Sequence, residues 1–343
     1  MQNVVAAPRK LFGLIVIALL LGPASLMLWL GRWRAALAYV LASLGAIGLF
    51  FAFSSHPPAA KLGLSDAFSI IALALSLIGL VHAIRIRKSA LRRPWYSRWY
   101  VALTFPLVAT FALLVGMFGI RTFLYQPFNM PSASMYPTLK VGDHFFVSKL
   151  SYGYSKYSFN FSVVSDGVTL INCCHFDFPG RVFFAANPER GDVAVFKLPT
   201  NTEIDYIKRV IGLPGDHVQM KDGVLYINGE AVPKVRVEDY VDTEPSGGGH
   251  PIQQYEETLP NGLKYRVLDE QANGSGDNTM EYVVPADHYF IMGDNRDNSE
   301  DSRYLDQVGY VPEENFIGSV AFRFRTNKGF EFERWPPKIL PPN

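Results

Sequence analysis

The amino-acid sequence predicts an N-terminal region of transmembrane α-helices followed by a mainly β domain. Apolar residues crowd the first third of the chain, where they form four long stretches almost free of charge. After about Phe128, short runs rich in valine, isoleucine, phenylalanine and tyrosine alternate with glycine, aspartate, asparagine and proline. Because 343 residues is long for one domain, we expect a membrane region at residues 1–123 and a β-rich domain at 124–343.

Each apolar stretch is long enough to cross a bilayer as a helix. About 20 residues at about 1.5 Å per residue match a hydrocarbon core of about 30 Å. Four such stretches in succession are not expected of helices buried in a soluble domain. They cover Leu11–Leu30, Ala35–Phe53, Ala67–Ile84 and Val101–Phe123.

Basic residues predict the orientation, because lysine and arginine concentrate in cytoplasmic loops. Arg32 and Arg34 lie between the first two stretches, whereas the connection around His56–Asp66 has only Lys61 and is expected outside. The fourth stretch then runs outward and places everything after about Tyr125 on the extracytoplasmic side. The connection before it carries Arg85, Arg87, Lys88, Arg92, Arg93 and Arg98.

The first stretch leaves two topologies open. Arg9, Lys10, an apolar run and the break at Gly22-Pro23 resemble a secretory signal peptide, but strict alternation from a cytoplasmic N-terminus would place the six-charge loop outside. Either four spans begin with an N-terminus outside, or three spans follow a half-span that folds at Gly22-Pro23. Arg9 and Lys10 favour the half-span.

Strands in the second unit are predicted from short runs of β-branched and aromatic residues. Lys221-Asp222-Gly223 and Asn228-Gly229 are turn signals of β-hairpins. Residues 238–278, which include Gly247-Gly248-Gly249, are predicted to form a loop-rich insertion. The predicted strands are His144–Ser148, Asp192–Lys197, Tyr206–Ile211, His217–Met220, Val224–Ile227, His288–Met292 and Ser319–Arg323.

Composition argues against several classes of function. A net charge of +1 does not suggest a nucleic-acid partner. The two cysteines, Cys173 and Cys174, are adjacent and cannot easily staple distant segments. Together with His175 they could be imagined as metal ligands, but a second pair at zinc-site spacing is missing from the sequence. We therefore predict no metal and no cofactor.

Two serines and one lysine are the first candidates for chemistry. Ser132 and Ser134 lie between Pro131 and Pro137, whose rings stiffen a loop that can aim a hydroxyl and its own N–H. Lys208 lies inside an apolar strand pattern, where burial lowers the pKa of an ammonium and makes it usable as a base. Strand alternation gives Lys208 and its neighbour Arg209 opposite faces, so one of them is expected to point inward.

A polar block, Gly293–Tyr304, directly follows an apolar strand pattern. Two ion pairs could brace it, either Asp301 with Arg303 or Asp297 with Arg296. Ser299 is suited to hydrogen-bond a neutral amine.

Other nucleophile systems fit poorly. No serine has a lysine three positions further on, and no Gly-x-Ser-x-Gly element occurs. A serine triad could use His144, His217 or His288, but nothing in their spacing selects one.

Three blocks, in this order, resemble the bacterial type I signal peptidase family. They read Pro-Ser-x-Ser-Met-x-Pro-Thr-Leu, then Arg-Gly-Asp-Val with Tyr-Ile-Lys-Arg-Val-Ile-Gly-Leu-Pro-Gly-Asp, then Gly-Asp-Asn-Arg-Asp-Asn-Ser-x-Asp-Ser-Arg-Tyr. The match covers roughly Gln126–Pro312. All three blocks together, after an outward-running span, make the resemblance specific.

The resemblance implies a Ser/Lys dyad on a β-rich catalytic core. Ser134 matches the nucleophile and Lys208 the general base. Ser132, with the backbone N–H of Ser134, matches the oxyanion hole, and Ser299 matches the residue that orients the lysine amine. The remaining matches are a bracing ion pair, Asp301 and Arg303, and a lining for small substrate side chains, Phe128, Met130, Met135, Leu139, Tyr206 and Ile207.

The implied substrates are secreted preproteins with small residues, such as Ala-x-Ala, before the cut. The implied location is the inner (cytoplasmic) membrane, with several spans in the lipid bilayer and the catalytic domain on the periplasmic side. No oligomeric state is predicted. A pilus or conjugation processing peptidase of the same architecture, a self-cleaving repressor and an inactive membrane scaffold are the alternatives. The chain departs from the family pattern in its extra apolar segments and in Leu305–Val308, a short insertion before Gly309.

Overall fold

The chain divides into two compact units. One comprises Met1–Phe118 with Lys328–Phe330, and the other comprises Gly119–Asn327 with Glu331–Asn343. Each unit has its own buried apolar clusters. A computed structural model describes residues 10–53, 64–86, 95–158, 161–165, 168–173, 180–183, 186–241, 250–271, 274–326 and 329–334.

Four α-helices occupy the four apolar stretches, and each lies within about three residues of its predicted bounds. By length and composition, Ser69–Ile86 and Trp99–Phe123 are suited to cross a membrane, and Leu20–Trp29 is a shorter apolar helix. The orientation was predicted from the charges of the connections at 56–66 and 85–98. Most residues of these connections lie outside the described residues. The helices are α1 (Leu11–Trp29), α2 (Trp33–Phe53), α3 (Leu64–Ile86) and α4 (Trp99–Phe123).

Helix α1 bends back on itself at Gly22. This residue has φ 78° and ψ 173°, a conformation that glycine tolerates, and Pro23 follows it without an N–H to donate. A straight helix would separate Gly13 from Trp29 by about 24 Å. Instead, a Cβ built on Gly13 would lie 2.9 Å from the Trp29 ring. The two halves of α1 therefore lie side by side, which agrees with the half-span interpretation.

Helix α1 packs against α2 and α3 through small side chains. A Cβ built on Gly79 of α3 would lie 2.4 Å from Cβ of Pro23, so only glycine allows this approach. Small residues at such contacts are typical of helices that pack in lipid. The buried residues of this cluster are Leu14, Ala18, Leu26, Met27, Ala36 and Ala83.

The second unit consists mainly of antiparallel strands, as the sequence predicts. The strands are β1 (Tyr125–Asn129), β2 (His144–Ser148), β3 (Phe161–Ser165), β4 (Val168–Cys173), β5 (Val193–Leu198), β6 (Asn201–Gly212), β7 (His217–Lys221), β8 (Val224–Ile227), β9 (Glu230–Ala231), β10 (Lys234–Arg236), β11 (Tyr240–Val241), β12 (Pro251–Ile252), β13 (Gln254–Thr258), β14 (Lys264–Leu268), β15 (Tyr282–Val283), β16 (His288–Met292), β17 (Val311–Pro312), β18 (Phe316–Thr326) and β19 (Gly329–Arg334).

The largest sheet has eight strands. Its order is β1-β2-β18-β5-β6-β16-β17, with β19 paired to β18. Smaller sheets follow the orders β15-β7-β8-β9, β10-β13-β14, β11-β12 and β3-β4. Cys173 ends β4, and Cys174 lies outside the described residues.

Each predicted strand has an observed counterpart, and both predicted hairpin turns are confirmed. Asp222 and Gly223 have φ values of 49° and 71° between the paired strands β7 and β8. Asn228 and Gly229, with φ values of 54° and 81°, connect β8 to β9 in the same way. Two successive residues with positive φ match the twist of a two-residue hairpin, which explains the signal.

The described residues of 238–278 include the four strands β11 to β14, whereas Gly247-Gly248-Gly249 lies outside the described residues. Strands β13 and β14 pair with each other, and β13 also pairs with β10. The sequence of β13, Gln-Tyr-Glu-Glu-Thr, looks solvated, but Gln254 and Glu257 are buried. Buried carboxylate and amide side chains need polar partners, and the local sequence does not show which distant segments supply them.

Strand β6 lies between β5 and β16 in the large sheet. Its first half is exposed, whereas Ile207–Gly212 is buried. Strand β16 leads directly into the polar block after Met292, and a short 3₁₀ turn, Ala133–Met135, follows β1. These three elements bring together the candidate residues of the sequence.

Candidate active site

Ser134 and Lys208 are in direct contact. The Lys208 Nζ donates a hydrogen bond of 2.6 Å to Ser134 Oγ, although 74 positions separate the two residues. Ser132 Oγ lies 3.2 Å from Ser134 Oγ on the other side. Ser134 and Lys208 are only 6% and 4% exposed, so the contact is shielded from water. A serine hydroxyl next to an amine in such surroundings has the components of an activated nucleophile.

The 3₁₀ turn of Ser134 is held by the loop after β16. The backbone N–H of Asn295 donates to the Ser134 carbonyl oxygen at 3.1 Å. The Asn295 side chain donates to the carbonyl oxygen of Ala133 at 3.3 Å. Gly293 approaches so closely that a Cβ there would lie 2.6 Å from the Ser134 oxygen and 2.2 Å from Ser299 Oγ. The position of Ser134 is therefore set by its backbone as well as by its hydroxyl.

Burial lowers the pKa of Lys208 to about 8. Asp301, Asp294 and Glu300 oppose this change through their negative charges, and Arg303 adds to it. The result is a lysine that loses its proton near neutral pH much more easily than a solvated one. This property is the one that the apolar strand pattern around Lys208 predicts.

Asp301 is the polar centre of the block that follows β16. Its carboxylate accepts hydrogen bonds from Arg303 Nε at 2.9 Å, from the Gly293 N–H at 3.0 Å and from Ser299 Oγ at 2.8 Å. Burial alone would raise the pKa of Asp301, but Arg303 and these hydrogen bonds keep it below its usual value. The predicted contact of Asp301 with Arg303 is present. Ser299 donates to Asp301 in this structure rather than to Lys208, so it can orient the amine only indirectly here.

Lys208 and Arg209 are adjacent on strand β6, and both are buried, whereas the sequence predicts that one of them points inward. Arg209 is 4% exposed and forms a two-pronged pair with Asp294, with Nε to Oδ1 at 2.8 Å and Nη2 to Oδ2 at 2.6 Å. Thr138 Oγ1 also donates to Asp294. Alternation sends Lys208 and Arg209 to opposite faces, and each face supplies its own polar partners. The Arg209–Asp294 pair connects β6, the serine loop and the polar block.

Arg296 does not pair with Asp297, which was one of the two predicted braces. Its guanidinium instead binds both carboxylate oxygens of Glu257 on β13, at 3.0 and 2.5 Å, and Tyr265 donates to the same carboxylate. Asp297 accepts backbone N–H groups of Glu270 and Gln271. The two side chains therefore hold different segments, β13 for Arg296 and the backbone at 270–271 for Asp297. No signal in the sequence identified Glu257, Asp294 or Asn295 as part of this network.

Five of the six residues predicted to line a substrate pocket belong to one apolar cluster. Phe128 packs against the buried members Met130, Met135, Leu139 and Ile207. Tyr206 packs in a different cluster, with its ring centroid 5.4 Å from Lys208 Nζ and its hydroxyl bonded to Glu300. Alternation along β6 explains the separation of Tyr206 from Ile207. Contact of these residues with a substrate stays a prediction.

The three histidines that could have completed a triad make other contacts, and the His144 ring centroid lies 5.9 Å from that of Phe324. His217 Nδ1 lies 3.4 Å from Glu281, and His288 Nδ1 is 2.8 Å from the Ala286 carbonyl oxygen.

Among the described residues, the carboxylates of Asp269, Asp277 and Asp297 lie within 4.8 Å of one another and could hold a cation. Lys234 Nζ is 2.6 Å from Asp269 and supplies part of the counter-charge.

The β fold thus places a buried serine hydroxyl against a buried lysine amine, the pairing of groups found in serine hydrolases that use an amine in place of histidine. A model of the signal peptidase family, peptidase S26, matches residues 101–325. The signal peptidase I of Rickettsia typhi is 40% identical over 225 residues, 64% of this chain and 78% of that protein. The signal peptidase I of Rickettsia bellii is 41% identical over 231 residues, 66% of this chain and 72% of that protein.

A crystal structure of a signal peptidase I from Enterococcus faecalis V583 aligns at a TM-score of 0.23 with 29% sequence identity. The alignment covers 39% of this chain and 97% of that chain. The match over 101–325 and the identities to the Rickettsia proteins show that the chain belongs to the signal peptidase family. It is a serine endopeptidase that cleaves signal peptides, and the resemblance inferred from the three motif blocks is confirmed.

Proposed function

We propose that Ser134 and Lys208 form the catalytic dyad of this signal peptidase. The observation that carries the proposal is the 2.6 Å contact between Lys208 Nζ and Ser134 Oγ inside a buried site. When Lys208 is neutral, the Ser134 hydroxyl donates its proton to the amine and the oxygen attacks the scissile carbonyl carbon. The resulting ammonium then protonates the leaving amine, and water hydrolyses the acyl-enzyme by the same route.

The oxyanion formed in this attack requires donors that are already in place. Ser132 lies two residues before the nucleophile, with its Oγ 3.2 Å from Ser134 Oγ. We assign its hydroxyl and the backbone N–H of Ser134 to the oxyanion hole. One such donor is worth about 3–4 kcal/mol of transition-state stabilisation. Ser299 acts through Asp301, whose charge and position influence the amine.

The substrates that fit this family are secreted preproteins, and the finer preference proposed is for small residues before the cut. The cluster of Phe128, Met130, Met135, Leu139 and Ile207 supports this preference, because bulky side chains already fill the space beside the serine turn. Large substrate side chains would have to displace buried residues of a densely packed region. An Ala-x-Ala junction satisfies that restriction.

The family is membrane-associated, and the proposed location is the inner membrane with the catalytic domain outside. The bend of α1 supports a half-span whose two ends lie on the same side. Three spans, α2, α3 and α4, then follow, so the basic connections at 30–34 and 85–98 are cytoplasmic. The half-span reconciles the basic N-terminus with an extracytoplasmic catalytic domain.

The test is cleavage of an Ala-x-Ala preprotein by purified protein in detergent. Ser134→Ala and Lys208→Met should each abolish cleavage while the domain stays folded, and Ser132→Ala should weaken it. Lys208→Arg should fail too, because arginine does not act as a base. Lys149 offers a matched control, since it is 3% exposed and burial lowers its pKa to about 8 as well.

The Lys149 amine donates to the Ser158 carbonyl oxygen and not to a nucleophile. Lys149→Met should therefore retain cleavage wherever the protein remains folded by circular dichroism. Equal loss of activity in Lys149→Met and Lys208→Met would mean that contact with Ser134 is not what matters. Activity in folded Ser134→Ala would move the nucleophile elsewhere.

A further inference from the structure

The first 123 residues carry an unbalanced positive charge. They contain twelve lysines and arginines but a single acidic residue, Asp66, which gives +11, whereas the whole chain carries +1. Acidic side chains of this region are therefore too few to neutralise its lysines and arginines. Negative partners must come from elsewhere, and a membrane surface is rich in phosphate anions.

A cavity of about 390 Å³ lies among the helices of this unit, and two of these cations line it. Arg32, Trp33 and Arg34 line it from the connection between α1 and α2, His82 lines it from α3, and Tyr96 completes the wall. Carboxylates are absent from the described lining. The volume falls in the range of small-ligand sites, of about 300–1,000 Å³.

The lining is suited to an anion with several oxygens. Guanidinium groups match phosphate geometry and are less strongly hydrated than ammonium groups. The first turn of α2 lies in the same wall and contains no acidic residue, and a helix N-terminus adds partial positive charge there. The Arg34 guanidinium carbon lies 5.5 Å from the Trp33 ring centroid, which restricts its motion.

The shape of the wall is fixed by contacts among its own residues. Tyr96 donates to the Gly31 carbonyl oxygen at 3.2 Å, which attaches the segment before α4 to the connection between α1 and α2. On α3, His82 Nδ1 lies 3.2 Å from the Tyr39 hydroxyl of α2. The wall is thus built from the α1–α2 connection, the start of α2, helix α3 and the segment before α4, and it does not depend on one mobile side chain.

The position of the cavity indicates that the anion is a lipid headgroup rather than a soluble anion. It opens at the ends of α1 and α2 where the chain turns with Arg32 and Arg34, which is the end expected at the cytoplasmic lipid headgroups. Tryptophan and tyrosine, which favour this interface, lie in its wall. We propose that the cavity binds the phosphodiester headgroup of an anionic phospholipid.

The experiment uses the full chain purified in a neutral detergent. Its thermal unfolding is followed while phosphatidylglycerol, phosphatidylcholine or inorganic phosphate is titrated, and bound lipid is counted by native mass spectrometry. Phosphatidylglycerol should stabilise the protein with a saturable dose dependence. Arg32→Gln and Arg34→Gln should each weaken its apparent affinity about tenfold, as expected for the loss of one charge-assisted contact.

Arg98→Gln is the matched control, because it removes the same charge from the same region without touching the cavity wall. It should change the apparent affinity less than about twofold. Arg34 is exposed, so its variant keeps the test valid if Arg32→Gln unfolds, and the lipid-free unfolding temperature reports folding. Equal losses in Arg98→Gln and Arg34→Gln, or equal binding of phosphatidylcholine, would overturn the proposal. Stabilisation by inorganic phosphate with none by lipid would assign the cavity to a soluble anion and also overturn it.

Discussion

Replacing Gly293 by alanine tests whether the loop after β16 positions Ser134, the proposed nucleophile. The backbone at this position needs no positive φ, so alanine is excluded only by its neighbours. The new Cβ would lie 2.6 Å from the Ser134 carbonyl oxygen, 2.5 Å from Ser299 Cβ and 2.2 Å from Ser299 Oγ. Ordinary contact begins at 3.4 Å, so the Ser134 backbone or the loop must move by about 0.8 Å.

A shift of this size has a large kinetic effect. A misplacement of about 1 Å can cost about 100-fold in rate. We therefore expect kcat/KM of Gly293→Ala to fall by about 10–100-fold, which corresponds to about 1.4–2.8 kcal/mol in the activation free energy. Overpacking of a buried site should also reduce the free energy of unfolding by about 1–3 kcal/mol.

The assay is cleavage of an Ala-x-Ala preprotein, with urea unfolding measured on the same samples. Ser299→Gly combined with Gly293→Ala removes the Ser299 contacts but leaves the clash with the Ser134 oxygen. The double variant should regain stability more than activity. Gly119→Ala is the control, since a Cβ there meets nothing within 4 Å. Wild-type kcat/KM in folded Gly293→Ala would refute the positioning role of this contact.

Three further predictions follow from the buried charges. Cleavage should rise with pH through about 8, because the neutral amine of Lys208 is the proposed base and burial lowers its pKa to about 8; a kcat/KM profile that is flat from pH 6 to 10 would contradict this. Lys208→Met should raise the free energy of unfolding at pH 7 by about 2 kcal/mol, since burying the ammonium costs about 3 kcal/mol and the hydrogen bond to Ser134 returns about 1 kcal/mol. Because folded wild type releases this proton at lower pH than the unfolded chain does, the stability of wild type rises between about pH 8 and 10.4. The advantage of Lys208→Met should therefore shrink over that range, and urea titrations of both proteins at pH 7 and 10 test this expectation. Asp294→Ala should lower the free energy of unfolding by about 3–5 kcal/mol by leaving Arg209 buried without its counter-charge, and a loss below about 1 kcal/mol would show that water or another group replaces the carboxylate.

Local patterns explain the parts of the fold that the sequence predicted well. The hairpin turns at Asp222-Gly223 and Asn228-Gly229 depend on backbone conformations of the residues themselves. Strands such as β2, β8 and β16 have central runs of apolar and aromatic residues. The helices α2 to α4 are similarly visible, because their apolar length alone identifies them.

Pairings between distant segments were harder to predict. Glu257 lies on a strand with polar composition, and its burial makes sense only once Arg296, 39 residues later, is placed beside it. Ser134 and Lys208 are even further apart, at 74 positions, yet they were identified through the family resemblance of the surrounding blocks. Asn295 holds Ser134 mainly through its backbone N–H, which any residue except proline provides, so its type carries little signal.

In the proposed half-span topology, the fold-back of α1 affects how the membrane region can be inserted during synthesis. Arg9 and Lys10 precede the bent segment, and Arg32 and Arg34 follow it. Each such cation costs about 2.5–3.5 kcal/mol at the bilayer centre, so a continuous span would have to carry one pair across this barrier. A segment that enters and leaves on one side translocates none of the four. It can dock after α2 and α3 are in place, with Gly79 already positioned to receive Pro23.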